Sequence, residues 1–479
     1  MQKHTQLFID GNLTPARGTQ DLPVTDCYTE ESFASYRSAS SEDVDAAVIA
    51  ARHAFDAWSA TAPAARAAAV RRVAAALREQ AEALTTAISR EVGMPRKLAA
   101  RIQVGAPLSA WDAYADLADG LEWESRIGHS LVQQVPVGVV ACITPWNYPL
   151  HQITGKVAPA LLAGCTVVLK PSEIAPSSAF MLAEAVRQAG LPAGVFNVVH
   201  GGGADVGQAL VRHPGVDMVS FTGSTRAGRQ IAAQASADIK RVALELGGKS
   251  AALVLPNADL AAAVKATLAS CMLNSGQTCS AITRLLVPRH LLGQAEELAQ
   301  SFLPSYRMGD PADGSTRLGP LVSQAQQRKV QNLVEEAIAA GARRIGGADE
   351  PPRHGFFVPA TVLSDVTPQM AIAQEEVFGP VLCLMAYDSE DDGLAIANGT
   401  AYGLAGAVWG PATSHTLGVA RRMRAGQVDI NGAPFNPLAP FGGFRQSGLG
   451  RENGRYGLEE FVEPLSIQLP PGFADLPVQ

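Results

Sequence analysis

Hydrophobic positions recur along this chain with two different periods. Val44, Val48, Ala51, Phe55 and Trp58 fall at helical spacing on one face. Ser40-Ser41-Glu42-Asp43 ahead of them supplies a polar helix start. Pro63 opens a second helix, whose apolar stripe runs through Val70, Val73, Leu77, Leu84 and Ile88. Before both, residues 7–12 read as a strand and turn, with Asp10-Gly11-Asn12 as the hairpin signal. From residue 137 the pattern changes. Short β-rich runs at 137–143, 166–169, 195–199, 218–221 and 241–244 alternate with helix-like segments at 153–162, 178–189, 204–212 and 227–235.

That alternation predicts a parallel sheet with helices on both faces, a Rossmann-like α/β domain. Ligands in such folds bind outside the carboxyl ends of the strands. Asn147, Lys170, Gly201, Gly223 and Glu245 all stand at or just after predicted strand ends. A second α/β unit follows from about Ala251, contains a long helix over 324–340 and ends near Gly443. Near the C-terminus, Leu465 and Ile467 alternate with Ser466 and Gln468, which is strand periodicity. Such a strand could pair across a subunit interface. The proline-rich tail beyond Leu465 is expected on the surface.

With 479 residues the chain is long enough for two or three domains, and 47% hydrophobic with 17% charged residues suits a globular protein with a large core. A net charge of -7 without a Lys/Arg-rich run argues against a nucleic-acid partner. No apolar run approaches a membrane span, and the N-terminus lacks a signal-peptide core, so a cytoplasmic protein is expected. The six cysteines are scattered without metal-ligand spacing. They read as reduced thiols, with no metal site.

One of them stands apart. Met272-Leu273-Asn274-Ser275-Gly276-Gln277-Thr278-Cys279-Ser280 is a turn of small and polar residues between a helix-like run over 260–273 and a strand-like run over 285–287. Such a turn can leave Cys279 exposed in a cleft. As a nucleophile, Cys279 would need N–H dipoles or a base to raise its thiolate fraction, because a free thiol is only a few per cent ionised at neutral pH. As a small buried residue it would need nothing. Glu245 ends an apolar strand, where a carboxylate is costly unless it pairs or works. It reads either as an ion pair with Lys249 or Arg241, or as a general base whose pKa burial raises. Asn147 lies between two prolines in Pro145-Trp146-Asn147-Tyr148-Pro149; it reads as an Asx turn or as an amide donor to an oxyanion. Lys170 and Glu173 follow a strand and, taken alone, read as a solvated loop. Gly201-Gly202-Gly203-Ala204-Asp205-Val206-Gly207 suggests a dinucleotide loop with one residue too many, and residues 448–454 repeat that spacing outside any βαβ context, as a decoy.

Taken together, the motifs resemble those of the aldehyde dehydrogenase superfamily over residues 8–463. The resemblance rests on Asn274, Gly276, Gln277 and Cys279, on Pro145-Trp146-Asn147-Tyr148-Pro149, Lys170-Pro171-Ser172-Glu173 and Phe221-Thr222-Gly223-Ser224-Thr225, and on Leu244-Glu245-Leu246-Gly247-Gly248-Lys249. Glu375-Glu376-Val377-Phe378-Gly379-Pro380 and Pro440-Phe441-Gly442-Gly443 follow in the family's order. It implies a cofactor domain from residues 1–117 and 137–247 and a catalytic domain over 248–446. It also implies a small β oligomerisation arm and tail from 118–136 and 447–479, in a homodimer or homotetramer.

The resemblance further implies NAD-dependent oxidation of a small-molecule aldehyde to a carboxylic acid. Cys279 would form a thiohemiacetal and then a thioester, Asn147 would hold the oxyanion, and Glu245 would activate water. The pyrophosphate would lie at Phe221, Gly223 and Ser224, where a helix N-terminus offers N–H groups. Lys170 and Glu173 would bind the adenosine ribose, and a carboxylate at Glu173 suits NAD over NADP. Glu376 and Phe378 would hold the nicotinamide ribose and ring. Ile143, Trp146, Gly203, Gly207 and Leu246 complete the implied cofactor contacts. Alternatives are a CoA-acylating semialdehyde dehydrogenase and a non-catalytic protein on the same fold. Met272, His151, Gln152, Gly155, Asp429 and Arg445 depart from the family's usual residues. Tyr148, Gln152, Ser280, Ile282 and Phe435 are the implied substrate-funnel positions, a mixture that suits medium aliphatic or aromatic aldehydes.

Overall fold

The computed structural model describes residues 2–346, 350–470 and 472–473. Its first large sheet has eight strands. Five run parallel, in the order Arg241–Glu245, Met218–Thr222, Val139–Ile143, Thr166–Lys170, Phe196–Val198. Along Val139–Ile143 the side chains alternate between two cores. Val140 and Cys142 join one cluster; Val139, Ala141 and Ile143 join the other. Burial on both faces is why these strands read as continuous apolar runs in the sequence. The hairpin Gln6–Ile9 and Asn12–Pro15 extends one edge of the sheet. Its turn residues Asp10 and Gly11 have φ of 52° and 74°, the pair of left-handed residues a two-residue hairpin of this type requires.

The second large sheet has seven strands, in the order Arg343–Gly346, Thr361–Ser364, Val381–Tyr387, Ile282–Pro288, Ser250–Val254, Ala405–Trp409, Gln427–Ile430. All pairings are parallel except that of Arg343–Gly346. The two sheets meet in opposite senses. In the first, strand order reverses at Val139–Ile143, so the crevice opens at the carboxyl ends beside Ile143 and Phe221. The second offers amino ends: Glu245 closes a strand of the first sheet, and Ser250 begins a strand of the second a few residues later. The Cys279 turn likewise precedes Ile282–Pro288.

Several elements differ from the sequence expectation. The stripe opened by Pro63 is two helices, Pro63–Glu79 and Ala81–Val92, broken at Gln80 (φ -98°, ψ 6°). Leu84 and Ile88 are fully buried on the second one, so the apolar stripe continues through the break and conceals it. The helix expected over 204–212 begins as a π-helical turn, Gly203–Gly207, in which the Gly207 N–H donates to Gly202 O at 3.1 Å. Only Gln208–Arg212 is α-helical. The start at Ser40 is a full capping box: Asp43 N–H donates to Ser40 Oγ, and Ser40 N–H to Asp43 Oδ2.

Strand Val462–Gln468 pairs antiparallel with Ser130–Pro136 of the same chain, which pairs in turn with Glu124–Ile127. Leu465 and Ile467 stay exposed on it. Within the stretch 447–479 expected in the arm, Gly448–Leu449 instead pairs with Arg241–Glu245 at the edge of the first sheet. Of the proline-rich tail, residues 474–479 lie outside the described residues.

Candidate active site

The turn carrying Cys279 is built from left-handed residues. Asn274, Ser275 and Gly276 have φ of 51°, 55° and 77° in succession. A Cβ on Gly276 would lie 2.1 Å from the carbonyl of Gly379, so the turn is pressed against Gly379-Pro380. Its polar groups are spent inward. The Asn274 side chain donates to Asn147 O at 2.9 Å, and the Gln277 side chain accepts from Val322 N at 2.8 Å and donates to Asn274 O at 3.1 Å. Ser275 Oγ donates to Gly319 O at 2.7 Å. Two polar side chains that read as signature residues are thus fully buried struts, and their spacing leaves Cys279 as the turn's outward residue. Of the six cysteines it alone is not buried.

Asn147 is brought to the same turn. Its side-chain amide donates to Gln277 O at 3.0 Å. Its own carbonyl accepts from Asn274 and from Gln103 Nε2 at 3.0 Å. An Asx turn would aim that amide at its own local backbone; here it reaches the loop that carries the thiol.

Glu245 is buried, and neither carboxylate oxygen has a hydrogen-bond partner among the described residues. The ion-pair reading therefore fails. Lys249 Nζ is buried without a partner among the described residues, and Arg241 donates to Val462 O and pairs with the Glu460 and Glu463 carboxylates. Burial, then the charge of Glu452, pushes the Glu245 pKa well above the carboxylate range, against Lys156 and Arg451. Cys279 is pushed up to about 12 by burial and by Glu376, Glu245 and Glu452. Both groups are thus shifted towards their protonated forms by burial and neighbouring carboxylates.

A cavity of about 790 Å³ opens over Cys279. All five funnel positions, Tyr148, Gln152, Ser280, Ile282 and Phe435, line it. So do His151, Gly155 and Asp429 among the residues that depart from the family pattern. A Cβ at Gly155 would already touch Glu452 Oε2 at 3.2 Å, so an aromatic there would displace that carboxylate. Arg445 lies elsewhere and holds a loop by donating to Asn398, Thr400 and Tyr402 carbonyls.

The crevice at the strand reversal collects the other predicted positions. Ser224 caps the helix Thr225–Ala235, accepting from Ala227 N–H. The Phe221 ring lies over Gly223, where a Cβ would sit 2.4 Å from it. Lys170 is buried, with Nζ 3.0 Å from Pro171 O and 3.4 Å from Glu173 Oε2, so the solvated-loop reading fails for it. Gly207 packs on the Lys170 side chain, and Gly203 faces open space. Trp146 meets Phe378 edge-on at 5.4 Å. Glu376 accepts from Gly248 N–H at 3.2 Å, and burial pushes its pKa up to about 6. The Leu246 side chain is packed under Gly228, leaving only its backbone for a ligand. The buried hydroxyls of Thr144 and Thr222, at the ends of the two strands flanking the reversal, have no partner among the described residues.

Three residues escaped sequence reading. Gln103 belongs to a π-helical turn, Ala99–Gly105, and matches no motif. Lys156 and Glu452 form a 2.5 Å pair, with Lys156 almost fully buried. Glu452 lies in the glycine-spaced decoy. That stretch is no dinucleotide loop, since Gly448–Leu449 is a sheet-edge strand, but it brings a carboxylate to the cavity wall beside Glu245. A buried lysine on an apolar helix, Pro149–Ala163, was the available signal.

A parallel sheet whose reversal opens a crevice towards a thiol on a second sheet defines a two-lobed α/β class of cofactor-using proteins. Within that class, the chain belongs to the aldehyde dehydrogenase family, whose model matches residues 14–467. It is 45% identical over 467 residues to a 3-succinoylsemialdehyde-pyridine dehydrogenase of a Pseudomonas species, covering 97% of this chain and 98% of the relative. A mutant aldehyde dehydrogenase C from Pseudomonas syringae, complexed with NAD+ and octanal, superposes with a TM-score of 0.96 at 44% identity, over 99% of this chain and 98% of that one. A Mycobacterium tuberculosis aldehyde dehydrogenase complexed with NAD+ superposes with a TM-score of 0.95 at 40% identity, over 98% and 99%.

Proposed function

We propose that the protein oxidises an aldehyde to a carboxylic acid with NAD, through a covalent intermediate on Cys279. The observation that carries this reading is the position of that one half-buried thiol. It stands on a cavity wall two residues from Gln277, whose carbonyl accepts from the Asn147 amide, with the Glu245 carboxyl, unpartnered among the described residues, close enough to raise its pKa.

In this mechanism Cys279 Sγ gives up its proton to water, the thiolate adds to the aldehyde carbon, and Asn147 Nδ2 donates to the developing oxyanion. Asn147 is held for that task from both sides, by its bond to Gln277 O and by the donors on its own carbonyl. Bound NAD supplies the hydride acceptor that converts a Cys279 thiohemiacetal to a thioester. Glu245 then takes a proton from water, which attacks the thioester. A carboxyl held above its ordinary pKa is a stronger base once ionised.

The crevice fits such a cofactor. The unpartnered Thr144 and Thr222 hydroxyls, the open side of Gly203 and the capped helix at Ser224 offer donors and space to a pyrophosphate. Lys170 and Glu173 would hold the adenosine ribose, the carboxylate favouring NAD over NADP. Glu376 and Phe378 would hold the nicotinamide ribose and ring, with Ile143, Trp146, Gly207, Phe221, Gly223 and Leu246 around them. NAD+ complexes of the similar proteins support this assignment. One relative is named for a pyridine-bearing semialdehyde and another is complexed with octanal, in keeping with medium aliphatic or aromatic substrates. The CoA-acylating alternative gains no support from them. The domain division given above, with Gly448–Leu449 moved from the arm to the cofactor domain, a homo-oligomer joined through the arm and a cytoplasmic location complete the proposal; six unpaired cysteines favour a reducing compartment.

The test follows NADH formation with heptanal and benzaldehyde, without CoA. Wild type should form NADH, with a higher kcat/KM for NAD than for NADP. Cys279→Ala should lose turnover by at least about a thousandfold while its thermal unfolding stays within a few degrees of wild type. Turnover by the alanine variant at the wild-type rate would remove Cys279 from the mechanism.

A further inference from the structure

The cavity over Cys279 has a one-sided charge. Its wall carries no lysine and no arginine. The ionisable side chains facing it are Tyr114, Tyr148, His151, Cys279, Asp429 and Glu452. Burial lowers the His151 pKa, against the charge of Glu452, and raises those of both tyrosines. Glu452 is neutralised by Lys156 at 2.5 Å. Asp429 has no such partner: its one hydrogen bond is from Gln427 Nε2 at 3.1 Å, and no cation lies within ion-pair distance among the described residues. The rest of the wall is largely apolar, with Phe435, Leu438 and Phe441 on one side and Ala106, Ala110 and Ala113 on another.

Asp429 is also placed at a distance from the thiol. It sits on Gln427–Ile430, the edge strand of the second sheet. Cys279 precedes Ile282–Pro288, with Ser250–Val254 and Ala405–Trp409 between them. Three inter-strand steps put the two strands roughly 14 Å apart. A substrate carbonyl at Cys279 therefore leaves several bonds between the reacting carbon and any group that meets Asp429.

We infer that Asp429 selects aldehydes whose far end carries a positive charge, and discriminates against aldehydes that end in a carboxylate. The inference rests on the proposed aldehyde oxidation at Cys279. A cation arriving at Asp429 finds a carboxylate with no competing counter-ion, in surroundings of lowered dielectric where the attraction is stronger than in water. A carboxylate arriving there meets like charge and no donor to replace its water. Asp429 sets this preference without touching the reacting atoms.

The experiment compares kcat/KM for three aldehydes of equal length: one capped by trimethylammonium, one uncapped (heptanal) and one capped by carboxylate. The quaternary ammonium cannot condense with its own aldehyde. Wild type should rank them cation, neutral, anion, with at least about tenfold between the ends, and the span should shrink as salt is added. Asp429→Asn should compress the span to about threefold or less, and Asp429→Lys should invert the order. Equal values for the three aldehydes in wild type would overturn the inference without recourse to any variant. An unchanged span in Asp429→Asn would overturn it as well. If heptanal itself is not oxidised, the proposed function fails instead, so the two failures are distinguishable.

Discussion

Gly276 shows how much one residue can be asked to do. Its φ of 77° is open to glycine at little cost, and its missing side chain leaves room for the Gly379 carbonyl, which a Cβ would meet at 2.1 Å. Gly276→Ala should therefore destabilise the protein by about 2–4 kcal/mol through left-handed strain and overpacking. It should also lower kcat by tenfold or more, because the Cys279 turn cannot shift without moving the thiol. Denaturant unfolding and steady-state kinetics would measure both, and a variant as stable and active as wild type would refute the packing argument. The motif Asn274, Gly276, Gln277, Cys279 was legible in the sequence, yet the reason for its glycine was not. That reason lies in a backbone carbonyl about a hundred residues downstream. Glu245 was legible as a carboxylate at an apolar strand end, but the choice between ion pair and unpaired acid needed the positions of Lys249 and Arg241. Glu452 was not legible, because its partner Lys156 sits on a distant helix.

At the scale of elements, strands were read well where periodicity and turn chemistry agree. The hairpin at Asp10-Gly11 and the helix start at Ser40 both stand as expected. The break at Gln80 was hidden because Leu77 and Leu84 are seven residues apart, two helical turns, with or without an interruption. The second of those helices, Ala81–Val92, ends in a buried acid. Glu91 Oε1 accepts from Ser177 Oγ at 2.5 Å and from Ser177 N at 3.3 Å, where the helix Ser177–Gln188 begins, while Oε2 has no partner among the described residues. Tyr36 Oη completes the chain through a 3.1 Å hydrogen bond with Ser177 Oγ. Burial raises the Glu91 pKa from 4.5 to about 8. The folded protein therefore keeps a proton that the unfolded chain releases across that window, and rising pH favours unfolding. The stability this group leaves intact below about 4.5 is lost progressively up to about 8, on the order of a few kcal/mol. Glu91→Gln removes the titration, so its unfolding free energy should fall less than that of wild type between pH 5 and 8. Parallel slopes for the two proteins would show that Glu91 does not hold its proton in the folded state.

At the scale of the whole molecule, the sequence revealed the α/β class, the first parallel sheet and a second α/β unit, and it missed the second unit's parallel sheet and how the two sheets face each other. Nothing in local periodicity says that one sheet offers carboxyl ends and the other amino ends. That arrangement brings Glu245, at a strand end of one sheet, close enough to raise the pKa of Cys279, in the turn before a strand of the other. The arm is the other whole-molecule feature. Val462–Gln468 is the edge of a three-stranded sheet, with Leu465 and Ile467 exposed. An apolar edge strand of this kind calls for a partner. Light scattering at micromolar concentration should return a dimer or tetramer, and truncation after Glu460 should lower the oligomeric state; a monomeric wild type would contradict the assignment. The division of labour between the two sheets is the central claim. In the proposed mechanism Cys279 would form the acyl-enzyme and Glu245 would deliver the water that releases it. The direct measurement is mass spectrometry of Glu245→Gln, quenched during reaction with heptanal and NAD. Turnover should fall by about 10²–10⁴-fold, a burst of NADH near one equivalent per site should persist, and the peptide containing Cys279 should carry the heptanoyl group. Undiminished steady turnover with an unmodified Cys279 peptide would contradict the account.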